Sequence, residues 1–161
     1  MSENFPIVTL PAPSLRERSL EIDKQEVTTP QFQAFLDKLE KTMDIADGIG
    51  IASPQVGINK RVFIAVIGRQ VTVFINPEIT KKSTSLTQTE EGCLSVPGVF
   101  GLVERAKRIT IKFMDRHGRR AELDLKNMDA VVAQHELDHL DGILFIDKMT
   151  EITRGQMPNR I

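Results

Sequence analysis

Residues 127–140, NMDAVVAQHELDHL, constrain the fold more than any other stretch. Their apolar positions recur at helical spacing. Met128, Val131, Val132, His135 and His139 fall at i, i+3, i+4, i+7 and i+11 and share one inward face. Asn127 is placed to cap the start, and Gly142 lies just past the end. Two histidines on an apolar face are costly to charge without a partner. His135 and His139 stack one turn apart, roughly 6 Å between Cβ atoms, so both rings reach one cation. Glu136 is rotated about 100° from His135, beside such a cation rather than on it, which suits a base acting on water.

The remaining pattern predicts strands around that helix. Residues 61–67 (RVFIAVI) and 71–77 (VTVFINP) are β-rich and joined by Gly68-Arg69-Gln70, a first hairpin. Residues 108–114 alternate, with Ile109, Ile111 and Phe113 on one face. After the turn DRHG, RRAELDL alternates through Ala121, Leu123 and Leu125, a second hairpin. Residues 29–47 predict another helix. Thr29-Pro30 marks its start, Gly48 its stop, and Phe32, Phe35, Leu36, Leu39, Met43 and Ala46 form its apolar stripe. Residues 6–17 carry three prolines and should run as an extended, turned arm. This order implies α+β with antiparallel pairing, not alternating β-α-β units.

Composition narrows the function. The 161 residues suit one domain, with an N-terminal arm over 1–17 and a short polar tail over 150–161. Net charge is −1 and there is no Trp or Tyr, which argues against a global basic field or a base-stacking platform. The single cysteine, Cys93, excludes an intramolecular disulfide and suits a reducing compartment. MSENFPIVTL lacks the basic start and apolar run of a signal peptide, and no stretch is long enough to span a bilayer, so a cytoplasmic location is expected.

HExxH supplies two ligands, and a catalytic site usually takes a third. His117, in DRHG, is expected to be a solvated loop residue. Cys93 in EEGCLSVPG, among Gly92, Pro97 and Gly98, is the better candidate. GIGIASPQVG (48–57) reads as an irregular, glycine-rich segment without phosphate-loop character, and Gln55 is the polar group on it best suited to donate into a site.

GIGIASPQVG, EGCLS and QHELDHLDG occur in that order, and together they resemble the peptide deformylase family from about residue 11 to residue 149. Ser53 stands where that family commonly has Ala. The resemblance implies antiparallel sheets packed around the HExxH helix. It also implies hydrolytic removal of the formyl group from formyl-methionine at the start of nascent polypeptides. Carried over by position, Cys93, His135 and His139 would hold a divalent ion, and Glu136 would be the acid/base. Gln55 and the Leu94 N–H would hold the formyl oxygen, and Gly48, Ile49, Gly50, Val131, Val132 and Arg105 would bind substrate. The resemblance implies Fe²⁺, whereas affinity order at an N/S site favours Zn²⁺; Zn²⁺ or Ni²⁺ could also occupy it. Family members that dock on the ribosome through a longer basic C-terminal helix differ from this tail, TEITRGQMPNRI, so at most a transient ribosome contact is expected. A monomer acting on formyl-methionyl peptides, with no direct nucleic-acid readout and no membrane, is the expectation. A zinc endopeptidase and an inactive metal-stabilised binding module are the rival readings.

Overall fold

The run VFIAVI (62–67) has no polar face, which suits a strand covered on both sides. The computed structural model, which describes residues 3–158, covers it in that way. Its elements in chain order are α1 (Lys24–Val27), α2 (Pro30–Ile45), β1 (Gly50–Ala52), β2 (Val62–Ile67), β3 (Gln70–Lys82), β4 (Leu86–Cys93), β5 (Val96–Ala106), β6 (Arg108–Met114), β7 (Arg120–Lys126), α3 (Asn127–Leu140), α4 (Phe145–Lys148) and β8 (Glu151–Arg154). One antiparallel sheet has the order β1-β2-β3-β6-β7, and a second has β4-β5-β8. Val62 and Ile64 of β2 pack with Phe32, Leu36, Leu39 and Met43 of α2. Phe63 and Ala65 face the other way, onto Ala130, Ala133, Leu137 and Leu140 of α3. The fold is α+β, with α3 enclosed between the sheets.

Phe74 is fully buried, with Phe63 and Phe113 each 4.5 Å away between ring centroids. Phe74→Ala should therefore cost about 4 kcal/mol, combining lost transfer energy with an unfilled cavity. A lower urea midpoint at unchanged slope checks it.

Several local expectations need correction. The first hairpin turns at Gly68 and Arg69 alone, because Gln70 already pairs with Ile67. β3 continues to Lys82 beyond Pro77, which sits at a register shift between Ile75 and Glu78 where its missing N–H costs no ladder bond. α2 ends with Asp47, not Gly48, in the left-handed conformation (φ 57°), and the Gly48 N–H returns to Met43 O at 3.0 Å. Asn127 makes no side-chain cap; Lys126 holds the cap position and Asn127 has φ 56°. Residues 50–52 of the glycine-rich segment are a paired strand, and Ser53–Val56 a 3₁₀ turn. Within the polar tail, Glu151–Arg154 forms an exposed strand that pairs with β5.

α3 is not a two-faced surface helix. Ala130 to Gln134, Glu136, Leu137, His139 and Leu140 are all buried, while Met128, expected inside, is 54% exposed. The buried polar side chains are tied down. Gln134 accepts from Ala106 N (3.1 Å) and donates to Ala106 O (2.9 Å), holding the helix to β5 as a neighbouring strand would. At the other end Gly142 (φ 73°) turns the chain, and the Ile143 N–H closes on Asp138 O at 2.9 Å. The Ser19 N–H, Ser19 Oγ and Arg61 Nη1 all donate to Leu140 O. The histidine-bearing turns are thus fixed at both ends of the helix.

Candidate active site

β4 runs toward α3 in regular pairing with β5 until Gly92, where the register shifts and Cys93 pairs with Val96. The shift and the tight turn after it present the Cys93 sulfur to the helix. Cys93 Sγ lies 3.3 Å from His139 Nε2. One potential ligand atom from each of Cys93, His135 and His139 falls within 4.8 Å of the others. The His135 Nδ1 is engaged 2.7 Å from Glu91 Oε1, which leaves Nε2 as the ring nitrogen to face Cys93. Glu91 is in turn held by Arg105 Nε (2.9 Å) and Nη2 (2.8 Å), and Arg105 Nη1 reaches Asp138 at 2.6 Å.

The electrostatics favour a cation at this point. Burial lowers His135, but hydrogen bonds to Cys93 and Glu91 and the charge of Glu136 outweigh it and hold the ring up at about 10. Burial drives His139 the other way, well below its usual value, and the charge on His135 adds to this. Burial would raise the Glu91 carboxyl, but hydrogen bonds from Arg105 and His135 hold it at about 2. Burial pushes Glu136 up to about 7, against the opposing charge of His135. A thiol and two imidazoles at one point, with carboxylates behind and beside them, fit a divalent transition metal.

Beside this group opens a cleft of about 470 Å³. Gly48, Ile49, Gly50, Gln55, Leu94, Val131, Val132, His135 and Glu136 line it, together with Cys93. Gln55 Nε2 donates toward Cys93 Sγ at 3.6 Å and toward Ser95 Oγ at 3.3 Å, while its Oε1 accepts from Ala52 N at 2.9 Å. Ser53 is buried, with its hydroxyl donating to Ile58 O. His117 is exposed in the β6–β7 turn.

Arg105 departs from expectation. It does not line the cleft but stands buried behind His135, between Glu91 and Asp138. Its guanidinium donates to Glu91, the carboxylate that faces His135 Nδ1. Residues missed by sequence reasoning include Glu91, Phe100 and, as an exposed rim residue, Met128. A signal for Glu91 existed, since it precedes Cys93 by two and side chains two apart in a strand share a face.

Gly50 is needed for close approach. A methyl group there would lie 2.6 Å from Glu136 Oε1 and 2.9 Å from its Cγ. Gly50→Ala should keep the fold but displace the carboxylate, lowering kcat about 100-fold. Formate release beside an unchanged circular-dichroism spectrum checks it.

A helix that brings two imidazoles and a carboxylate to one point, opposite a thiol on a facing strand, marks a metal-dependent hydrolase. The known proteins that resemble this chain agree. The sequence profile of the polypeptide deformylase family matches residues 4–155. A peptide deformylase of Stenotrophomonas maltophilia is 43% identical over 160 residues, covering 98% of this chain and 94% of that protein. One of Fusobacterium nucleatum is 42% identical over 148 residues, covering 91% of this chain and 84% of that protein. The structure of an Acinetobacter baumannii class I type b peptide deformylase with bound Met-Ala-Ser superposes with a TM-score of 0.88 at 34% identity, over 92% of this chain and all of that one. The chain belongs to the polypeptide deformylase family. Its activity is the removal of the formyl group from the amino terminus of nascent polypeptides.

Proposed function

We propose that Cys93, His135 and His139 hold the metal, that Glu136 moves the proton, and that Gln55 and Leu94 receive the formyl oxygen. The observation that carries this reading is the convergence of the three donor atoms within 4.8 Å, with the buried Glu136 in the same cleft wall. When bound, the ion supplies a Lewis acid that acidifies water and polarises the formyl carbonyl. Glu136 takes a proton from the attacking water, whose oxygen adds to the formyl carbon. The Gln55 amide and the Leu94 N–H donate to the oxygen on which negative charge builds; one such donor is worth roughly 3 kcal/mol. The C–N bond then breaks as Glu136 returns the proton to the departing amine. One water is consumed, and formate and a free amino terminus leave.

Ile49, Val131 and Val132, with the bare backbone of Gly48 and Gly50, form the apolar wall that would take an unbranched methionine side chain. The bound Met-Ala-Ser of the Acinetobacter baumannii relative supports a peptide lying in this cleft. Fe²⁺ is the proposed ion, with Zn²⁺ or Ni²⁺ able to replace it. No helix among the described residues is long and apolar enough to cross a membrane. A cytoplasmic monomer that meets the ribosome transiently completes the reading.

The test is anaerobic preparation with metal analysis, then assay on formyl-Met-Ala-Ser and on casein. Formate release from the first without cleavage of the second is expected. Cleavage of casein would instead favour an endopeptidase.

A further inference from the structure

One row crosses the whole of the smaller sheet at the place where both of its ladders break. Gly92 of β4 pairs with Phe100 of β5, and Phe100 pairs with Arg154 of β8. The β4–β5 register shifts between Gly92 and Cys93, and the β5–β8 register between Phe100 and Gly101. Cys93 is the first residue past the break on β4, where regular pairing no longer sets the direction of a side chain. Side chains close the row instead. A Cβ on Gly92 would lie 2.5 Å from Phe100 Cε1, so the ring rests on bare backbone. The Arg154 guanidinium carbon stands 4.5 Å from the centroid of that ring. Arg154 Nη2 then donates to Glu90 Oε1 at 3.0 Å. The arginine reaches from the edge strand over the middle strand to β4, two strand spacings or about 10 Å.

Stability does not account for this arrangement. All four residues of β8 are exposed, and the Arg154 and Glu90 side chains are 67% and 39% exposed. An exposed ion pair contributes little to folding. Even so, the tail is closely seated on β5 at both ends of β8. A side chain at Gly101 would overlap Met149, and one at Gly155 (φ 81°) would overlap Gly98 O. Met149 also shares an apolar cluster with Cys93. Hydrogen bonds from Thr153 and Arg154 hold the Glu90 carboxyl below its usual value, so the pair is charged at neutral pH. Glu90, Gly92, Cys93 and Phe100 all line the cleft. The contacts of the tail therefore converge on the β4 segment that carries the thiol.

We propose that Arg154 is a positioning residue for Cys93, holding Phe100 on Gly92 and tying down Glu90 so that the sulfur stays turned toward His139. This rests on the reading of Cys93 as a metal ligand and names what keeps that ligand in place. The Cys93 Sγ to His139 Nε2 separation of 3.3 Å is the geometry so held. Glu90 and Gly92 lie two apart on β4 and share a face, so the ion pair and the ring act on the same side of the strand. Arginine suits the task better than lysine, because its flat guanidinium stacks on a ring while its N–H groups reach a carboxylate. The C-terminal strand, which adds little apolar burial, is in this way part of the metal site.

The experiment uses the whole chain loaded with Ni²⁺, and follows the thiolate-to-metal absorption band and the rate of metal release to excess EDTA. Arg154→Ala should release the ion about tenfold faster, the low end of what losing an outer partner of a ligand costs. It should also alter the thiolate band before release, while the urea midpoint of the metal-free chain moves little. Arg154→Lys keeps the charge without the flat stack and should fall between the parent and Arg154→Ala. Glu90→Ala combined with Arg154→Ala should release no faster than Arg154→Ala alone, because both side chains act through one clamp. Ile152→Ala, on the same strand, should release at the parent rate. Release at the parent rate with an unchanged band in Arg154→Ala, or equal acceleration by Ile152→Ala, would overturn the proposal and leave Cys93 a ligand. A parent protein that binds Ni²⁺ without a thiolate band would remove Cys93 from the metal and overturn both readings.

Discussion

Glu136→Ala keeps the metal and the fold and loses about a thousand-fold or more of kcat. Such a loss is about 4 kcal/mol of transition-state stabilisation. The size follows from having one group serve two proton transfers, each of which contributes 10²–10⁴-fold in typical enzymes. Glu136 is 5% exposed, and its Oε2 has no hydrogen-bond partner among the described residues. Burial raises its pKa to about 7, close to the value that makes a carboxylate an effective base at neutral pH. Glu136→Gln separates shape from chemistry, because the amide fills the same space beside Gly50 and cannot take a proton. Both variants should bind metal stoichiometrically and fail to release formate. Activity near that of the parent in either would remove Glu136 from the mechanism.

The second large effect is on metal content. Cys93→Ala should leave two imidazoles to hold the ion, and affinity should fall by more than about 100-fold. Losing even an outer partner of a ligand costs 10–100-fold, and here a ligand itself is lost. The charge changes as well: a thiolate brings a divalent site to formal +1, and its removal leaves +2 in a largely buried pocket. Gln55 Nε2 also loses the sulfur it faces at 3.6 Å. Elemental analysis of protein purified anaerobically should find far less than one ion per chain. A full complement of metal would show that Cys93 is not a ligand.

These two predictions draw on residues that the sequence singled out, and the reason is chemical. Two histidines four apart on an apolar stripe, with one cysteine in the chain, leave few arrangements that avoid a buried unpaired charge. Arg105 was readable only as a residue to be noticed. Its side chain turns from the cleft to Glu91 and Asp138, a choice made by the facing strand and helix, not by its own neighbours in sequence. Met128 fits the helical stripe by spacing yet stands exposed, because the stripe is defined by what packs against it and a cleft opens at that point. Asn127 has the chemistry of a cap, but the exit from β7 sets its backbone at φ 56° and leaves Lys126 in the capping position.

Local pattern by itself determined the helix over 127–140, the hairpin over 108–125, the strand at 61–67 and the residue types able to take a metal, since each depends on periodicity or on the chemistry of a few side chains. Only the tertiary structure decided that a second sheet forms from β4, β5 and β8. β4 (LTQTEEGC) is polar on both faces, and β5 contains Pro97, Gly98 and Gly101, so neither has the alternation that announces a strand. Their hydrogen bonds form because each strand meets the other and the helix in space. That meeting also sets Glu91 behind His135 and the Cys93 sulfur beside His139.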